Sequence, residues 1–124
     1  MSFVEKKKCR PLFRIFIDGV EGSAIADTGA SGCIARRKLV KILEENGHVF
    51  TMKVASLTYA NGKIEKSFVR VVNVDVVLEG VKINTNFMCL DNGEEARTCL
   101  GVDFLESANI VMELKRRKWY FAWR

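Results

Sequence analysis

Three turn signals constrain this chain most. Asp18-Gly19, Asn61-Gly62 and Glu79-Gly80 each separate two runs rich in β-forming residues. Asn-Gly between extended segments is among the strongest local hairpin signals, because both central residues of a type I′ turn take positive φ. Leu12 to Ile17 holds two phenylalanines and two isoleucines and is expected to pair, across Asp18-Gly19, with Val20 to Ala26. Val49 to Ala60 is strand-like. Around Asn61-Gly62 the arms Leu57 to Ala60 and Lys63 to Lys66 are polar and hold few core residues, so this hairpin should project from the body. Phe68 to Leu78, with Val69, Val71, Val72, Val74, Val76 and Val77, reads as a long buried strand, and Val81 to Leu90 returns beside it. Ile110 to Leu114 and Trp119 to Trp123 flank the basic turn Lys115 to Lys118 as a closing hairpin. Its Trp119, Tyr120, Phe121 and Trp123 are expected to expose aromatic surface.

Helical patterning is confined to two short places. Arg36 to Glu45 sets Leu39, Ile42 and Leu43 on one face, with Asn46-Gly47 as a stop. Its charges oppose the macrodipole, basic at the start and acidic at the end, so packing must hold it. A second short helix begins after Gly101. The expected class is all-β with one or two short helices, barrel-like or sandwich-like.

At 124 residues the chain is one domain, read as a basic lead-in over 1–11 and a folded unit over 12–124. No apolar run reaches transmembrane length, and the charged N-terminus is unlike a signal peptide. A soluble, cytoplasmic protein without membrane contact is expected. Cys9, Cys33, Cys89 and Cys99 form no C-x-x-C pair and His48 is the one histidine, so neither a metal nor another cofactor is expected. The cysteines read as four reduced, mostly buried thiols, and His48 as an exposed residue after a helix. The net charge of +5 gathers at Lys6 to Lys8, Arg36 to Lys38 and Lys115 to Lys118. No nucleic-acid motif accompanies these runs, so nucleic-acid binding should be nonspecific at most.

Chemistry concentrates at Ala26-Asp27-Thr28-Gly29-Ala30-Ser31. A carboxylate at the tip of a strand, followed by a Thr-Gly turn, stands where a reacting group can meet it, and glycine lets backbone approach a ligand. Further on, Cys99-Leu100-Gly101 ends a second apolar strand before the short helix.

These patches, with Tyr59-Ala60-Asn61-Gly62-Lys63 between them and Val102-Asp103-Phe104-Leu105 and Ile110-Val111-Met112-Glu113 after them, resemble the retropepsins, the aspartic proteases of retroviruses and long-terminal-repeat retrotransposons. Tyr59 to Lys63, and Leu100 to Leu105 followed by Ile110 to Glu113, look most like gypsy-type retrotransposon enzymes. The resemblance spans Leu12 to Trp123. It implies a closed acid-protease β-barrel, one lobe per chain, paired as a homodimer. Carboxylate peptidases need one ionised and one protonated group, so each protomer would contribute one Asp27. The resemblance further implies that Thr28 packs at the dimer centre and that Gly29 hydrogen-bonds the substrate backbone, with Ala30 and Ser31 beside it. Asn61 and Gly62 would form a flap tip, with Leu57, Tyr59 and Ile64 covering an extended peptide, Ala60 also meeting substrate, and Cys99 and Leu100 walling its pockets. The implied substrate is a parent Gag-Pol-type polyprotein, cut in the cytoplasm or inside retrotransposon particles. The alternative is a catalytically silent module that dimerises or binds peptide. Ser31 and Val102 stand where retroviral enzymes carry an ion pair that braces the dimer. Arg97 stands where the family often has an apolar pocket residue.

Overall fold

The structure, a computed structural model, describes residues 4–5, 11–90 and 97–123, with the backbone alone at positions 4, 5 and 57. Most of the basic lead-in, Cys9 and the polar loop expected at 91–95 lie outside the described residues. Within the lead-in, β1 (Val4–Glu5) pairs antiparallel with the start of β2 (Pro11–Ile17).

β2 and β3 (Val20–Ala26) form the first hairpin, with Asp18 and Gly19 at φ of 54° and 77°. Two successive positive φ values match the right-handed strand twist, which is why this pair closes so tight a turn. Glu79 and Gly80 repeat the device, at 49° and 77°, between β6 (Ile64–Leu78) and β7 (Val81–Cys89). β6 is the spine of the molecule. It pairs with β5 (Phe50–Thr58) along its first part and with β7 along its second, and its Val77 pairs with Phe16 of β2. From β2 the ladder passes through β3, β8 (Cys99–Leu100), β4 (Cys33–Ala35), β7 and β6, then returns to β2. Six strands thus close a barrel, and closure leaves few edges exposed.

Four expectations change. The Asn61-Gly62 turn is not of the two-residue type: only Gly62 takes positive φ, at 84°. Gly62 N–H donates to Tyr59 O (2.9 Å), Tyr59 N–H donates to Lys63 O (2.8 Å), and Asn61 Oδ1 accepts from Lys63 N–H (2.9 Å). This is a three-residue loop closed by a glycine bulge. β6 is buried on one face, through Val72, Val74, Val76 and Leu78, while Asn73, Asp75 and Phe68 are exposed. Its early part leaves the barrel with β5 as the projecting hairpin. Trp119 and Phe121 are buried, because the period of two along β10 (Lys118–Phe121) turns them inward; only Tyr120 and Trp123 expose aromatic surface. His48 is half-buried, its Nε2 2.7 Å from Asp18 Oδ2, where Asn46 Nδ2 also donates at 2.9 Å.

α1 (Arg37–Glu45) buries Val40 and Leu43, with Leu39 against the core. It has no side-chain cap, no acid in its first turn and no base in its last, so burial of this face is what holds it. α2 (Val102–Ser107) buries Phe104 and Leu105. β9 (Ile110–Glu113) and β10 then pair and pack against the core, where Trp119 stacks on Phe13 with ring centroids 5.0 Å apart. Cys33, Cys89 and Cys99 are buried thiols, none in a disulfide.

Trp119→Ala should therefore lower unfolding free energy by about 3–5 kcal/mol in denaturant titration. Trp123→Ala, which removes a ring contact to Phe121 and an indole N–H bond to Ala108 O, should cost about 1 kcal/mol. The Asn46 amide, and then His48, hold the Asp18 carboxyl below its ordinary value of 3.8. A lowered folded-state pKa stabilises above the unfolded value and is lost as pH falls through the folded one. Asp18→Asn, tolerated at positive φ, should melt below the parent at neutral pH, and the gap should close on acidification below about pH 4.

Candidate active site

β3 and β8 lie parallel and adjacent, Ile25 against Cys99 and Ala26 against Leu100, so the two apolar strand ends singled out in the sequence emerge side by side. Ile25 N–H donates to Thr98 O and Asp27 N–H to Leu100 O, both at 2.9 Å. Asp27 is thereby held at the last rung of the ladder. Beyond it the chain turns back: Ala30 N–H donates to Asp27 O (3.1 Å), and Gly29 N–H donates to the carboxylate Oδ1 (2.9 Å). A backbone N–H thus ties one carboxylate oxygen to the loop.

The loop is supported from beneath by the start of α2. Val102 N–H donates to Ala30 O (2.9 Å) and Asp103 N–H to Ser31 O (3.2 Å). The first amides of a helix have no partner within it, so the loop carbonyls satisfy groups that would otherwise be stranded. Gly101 makes this approach possible. A Cβ there would lie 2.4 Å from Gly32 O and 2.8 Å from Ala30 O. Cys33 Sγ completes the junction, donating to Asp103 Oδ1 (3.3 Å) and accepting from Gly101 N–H (3.4 Å). Burial, with the neighbouring Asp103 carboxylate, pushes the Cys33 thiol up to about 12, so it is no nucleophile near neutral pH.

Asp27 is half-buried, and Thr28 and Gly29 are exposed. Above the loop stands the β5–β6 hairpin, and between them runs an open groove of about 760 Å³. Of the residues predicted to meet substrate, Gly29, Ala30, Ser31, Tyr59 and Ala60 line it. Asn61, Gly62 and Ile64 are exposed on the hairpin and do not line it. The side chain of Leu57 lies outside the described residues. Cys99 and Leu100 are buried in β8 behind the Asp27 loop, with Leu100 in the barrel core. Arg97 does not line the groove; its guanidinium donates to Ser23 Oγ.

Ile34, Arg36, Thr58, Val71, Asn86 and Met88 line the groove without having been predicted to meet substrate. Arg36 is the N-cap residue of α1 and the others come from β4, β5, β6 and β7; β4 itself, three residues long, carries too short a pattern to be recognised. Among the described residues no three His, Cys, Asp or Glu side chains group as they would to hold a metal ion.

A model of the aspartyl protease family matches residues 14–104. The fold is similar to solved structures of a retropepsin-like aspartic protease from Rickettsia conorii (TM-score 0.64, 18% identity, covering 91% of this chain and 83% of that one). It is likewise similar to the retroviral protease-like domain of Ddi1 from Leishmania major (TM-score 0.66, 15% identity, 98% and 89%). A third likeness is to the inhibitor-bound EIAV protease (TM-score 0.60, 18% identity, 83% and 91%). No curated protein sequence matches the chain.

Gly101→Ala should force the α2 start away from Gly32 and Ala30, since rigid backbone faces the added methyl. Thermal unfolding should show a loss of about 1–3 kcal/mol, the usual cost of overpacking a tight junction.

Proposed function

Since the chain belongs to the aspartyl protease family, we propose that it is a retropepsin-type aspartic endopeptidase, active as a homodimer with one Asp27 from each protomer. The observation that carries this reading is the setting of Asp27: a half-buried carboxylate that accepts from Gly29 N–H, on a loop whose Gly29, Ala30 and Ser31, though not Asp27 itself, line a groove roofed by a hairpin. Thr28 and Gly29, exposed in one protomer, are where a second copy would cover the loop.

Two Asp27 carboxylates at hydrogen-bond distance cannot both ionise readily, so the pair shares a proton and titrates as a unit. The ionised member takes a proton from a water as its oxygen bonds to the peptide carbonyl carbon. The protonated member supplies the proton that the nitrogen needs when the C–N bond breaks. One protomer holds only half of this machinery. The peptide would lie extended in the groove, bonding backbone at Gly29 and at the hairpin, and closure over it would exclude water. Asn61, Gly62 and Ile64 reach substrate only through that closure.

The substrate we propose is the parent Gag-Pol-type polyprotein, on the resemblance to retrotransposon enzymes. The setting is the cytoplasm or retrotransposon particles, where buried thiols such as Cys33 stay reduced. Without an ion pair at Ser31 and Val102, dimer affinity rests on other contacts.

Sedimentation should show a concentration-dependent dimer. An unstructured protein incubated at about pH 5, where a shared-proton dyad is populated, should be cleaved, and Asp27→Asn should abolish the cleavage. A strict monomer at high concentration, or cleavage that survives Asp27→Asn, would defeat the proposal.

A further inference from the structure

The β2–β3 hairpin has an edge that the barrel does not use. We infer that the edge of β3 at Glu21 to Ser23, with the groove between it and α1, is a second binding site that takes an extended acidic peptide as an added β-strand.

The backbone geometry comes first. In a two-residue hairpin closed at Ile17 and Val20, alternate β3 residues direct N–H and C=O toward β2 and away from it. Ile25 N–H points away, since it donates to Thr98 O on β8. By alternation the N–H and C=O of Ser23 and Glu21 point the same way. β8 pairs only as far as Ile25, so among the described residues no strand meets Glu21 or Ser23 on that side. Exposed donors and acceptors in a row are a template for another strand.

Beside this edge lies a groove of about 540 Å³, and Arg36 is the one lining residue it shares with the groove at the Asp27 loop. Gly22 helps to open it: a Cβ there would meet nothing within 4 Å. Leu39 and Ile42 of α1 give it an apolar side, and its rim carries Arg36, Arg37, Lys38 and Arg97. Its one acid, Glu21, is tied to Arg14 at 2.9 Å.

Charge and shape together name the occupant. An added strand sends alternate side chains to opposite faces, so apolar ones meet Leu39 and Ile42 while acidic ones meet the cationic rim. A peptide alternating acidic and apolar residues satisfies both. A nucleic acid would satisfy the rim but neither the strand edge nor the apolar side.

The test uses the full chain carrying Asp27→Asn, so that failure of the peptidase reading leaves it intact. A fluorescein-labelled alternating Glu-Val peptide should bind by anisotropy, more weakly as salt rises, and a Lys-Val counterpart should not. Gly22→Val, which fills the groove with a residue suited to a strand, and the double change Arg37→Glu with Lys38→Glu should each weaken binding on the order of tenfold. Circular dichroism checks that both variants fold. Absence of Glu-Val binding would overturn the proposal. So would binding unchanged by both variants, or displacement of the peptide by a peptidomimetic aspartic-protease inhibitor. Single-stranded RNA that competes with the peptide on Gly22→Val as well as on the parent would reassign the rim to phosphate and overturn it too.

Discussion

The rest of this structure depends on backbone packed against backbone at Gly101. Glycine at this position lets the start of α2 come within reach of Gly32 and Ala30, where a methyl group would collide. That approach lets Val102 and Asp103 donate to the carbonyls of Ala30 and Ser31, while Leu100 O receives Asp27 N–H. The loop that bears the carboxylate is therefore held by main-chain bonds from an element some seventy residues later, separate from whatever side chains surround it. Ser31 can replace the acidic residue of retroviral enzymes without loosening this support, because only its carbonyl is used.

Barrel closure and the site are linked through β6. One face of its far half fills the core with Val72, Val74, Val76 and Leu78, and its near half leaves the barrel to roof the groove with β5. A single strand thus anchors the hairpin in the hydrophobic core while its tip meets solvent. Few buried residues lie along its exposed arms, so the core does not rest on them. The C-terminal hairpin covers the other side, where Phe13, Trp119 and Phe121 form a continuous run of ring contacts.

The positive charge finds a more specific setting than net charge alone suggests. Arg36, Arg37 and Lys38 are poorly placed for helix stability, and α1 is held by Val40 and Leu43 instead. Gathered with Arg97 beside an unused strand edge, the same residues make one face of the barrel a surface for an acidic chain.

Much was legible in the sequence because it depends on local chemistry. Asp18-Gly19 and Glu79-Gly80 encode their turns through residues that accept positive φ, and Asp27-Thr28-Gly29 follows the apolar end of β3 directly. Runs of valine and phenylalanine announce strands for the same local reason. What tertiary structure alone decided concerns faces and neighbours. Whether Trp119 points into the core or out depends on which side of β10 meets Phe13, and the identity of the residues does not carry that choice. Ile34, Val71 and Met88 reach one groove from three strands because the barrel closes, and no spacing along the chain records it. His48 meets Asp18 for the same reason, across thirty residues. Asp27 stood out in the sequence only together with the Asn61-Gly62 hairpin and the strand end at Leu100-Gly101; the groove beside its loop exists only because six strands return to where they began.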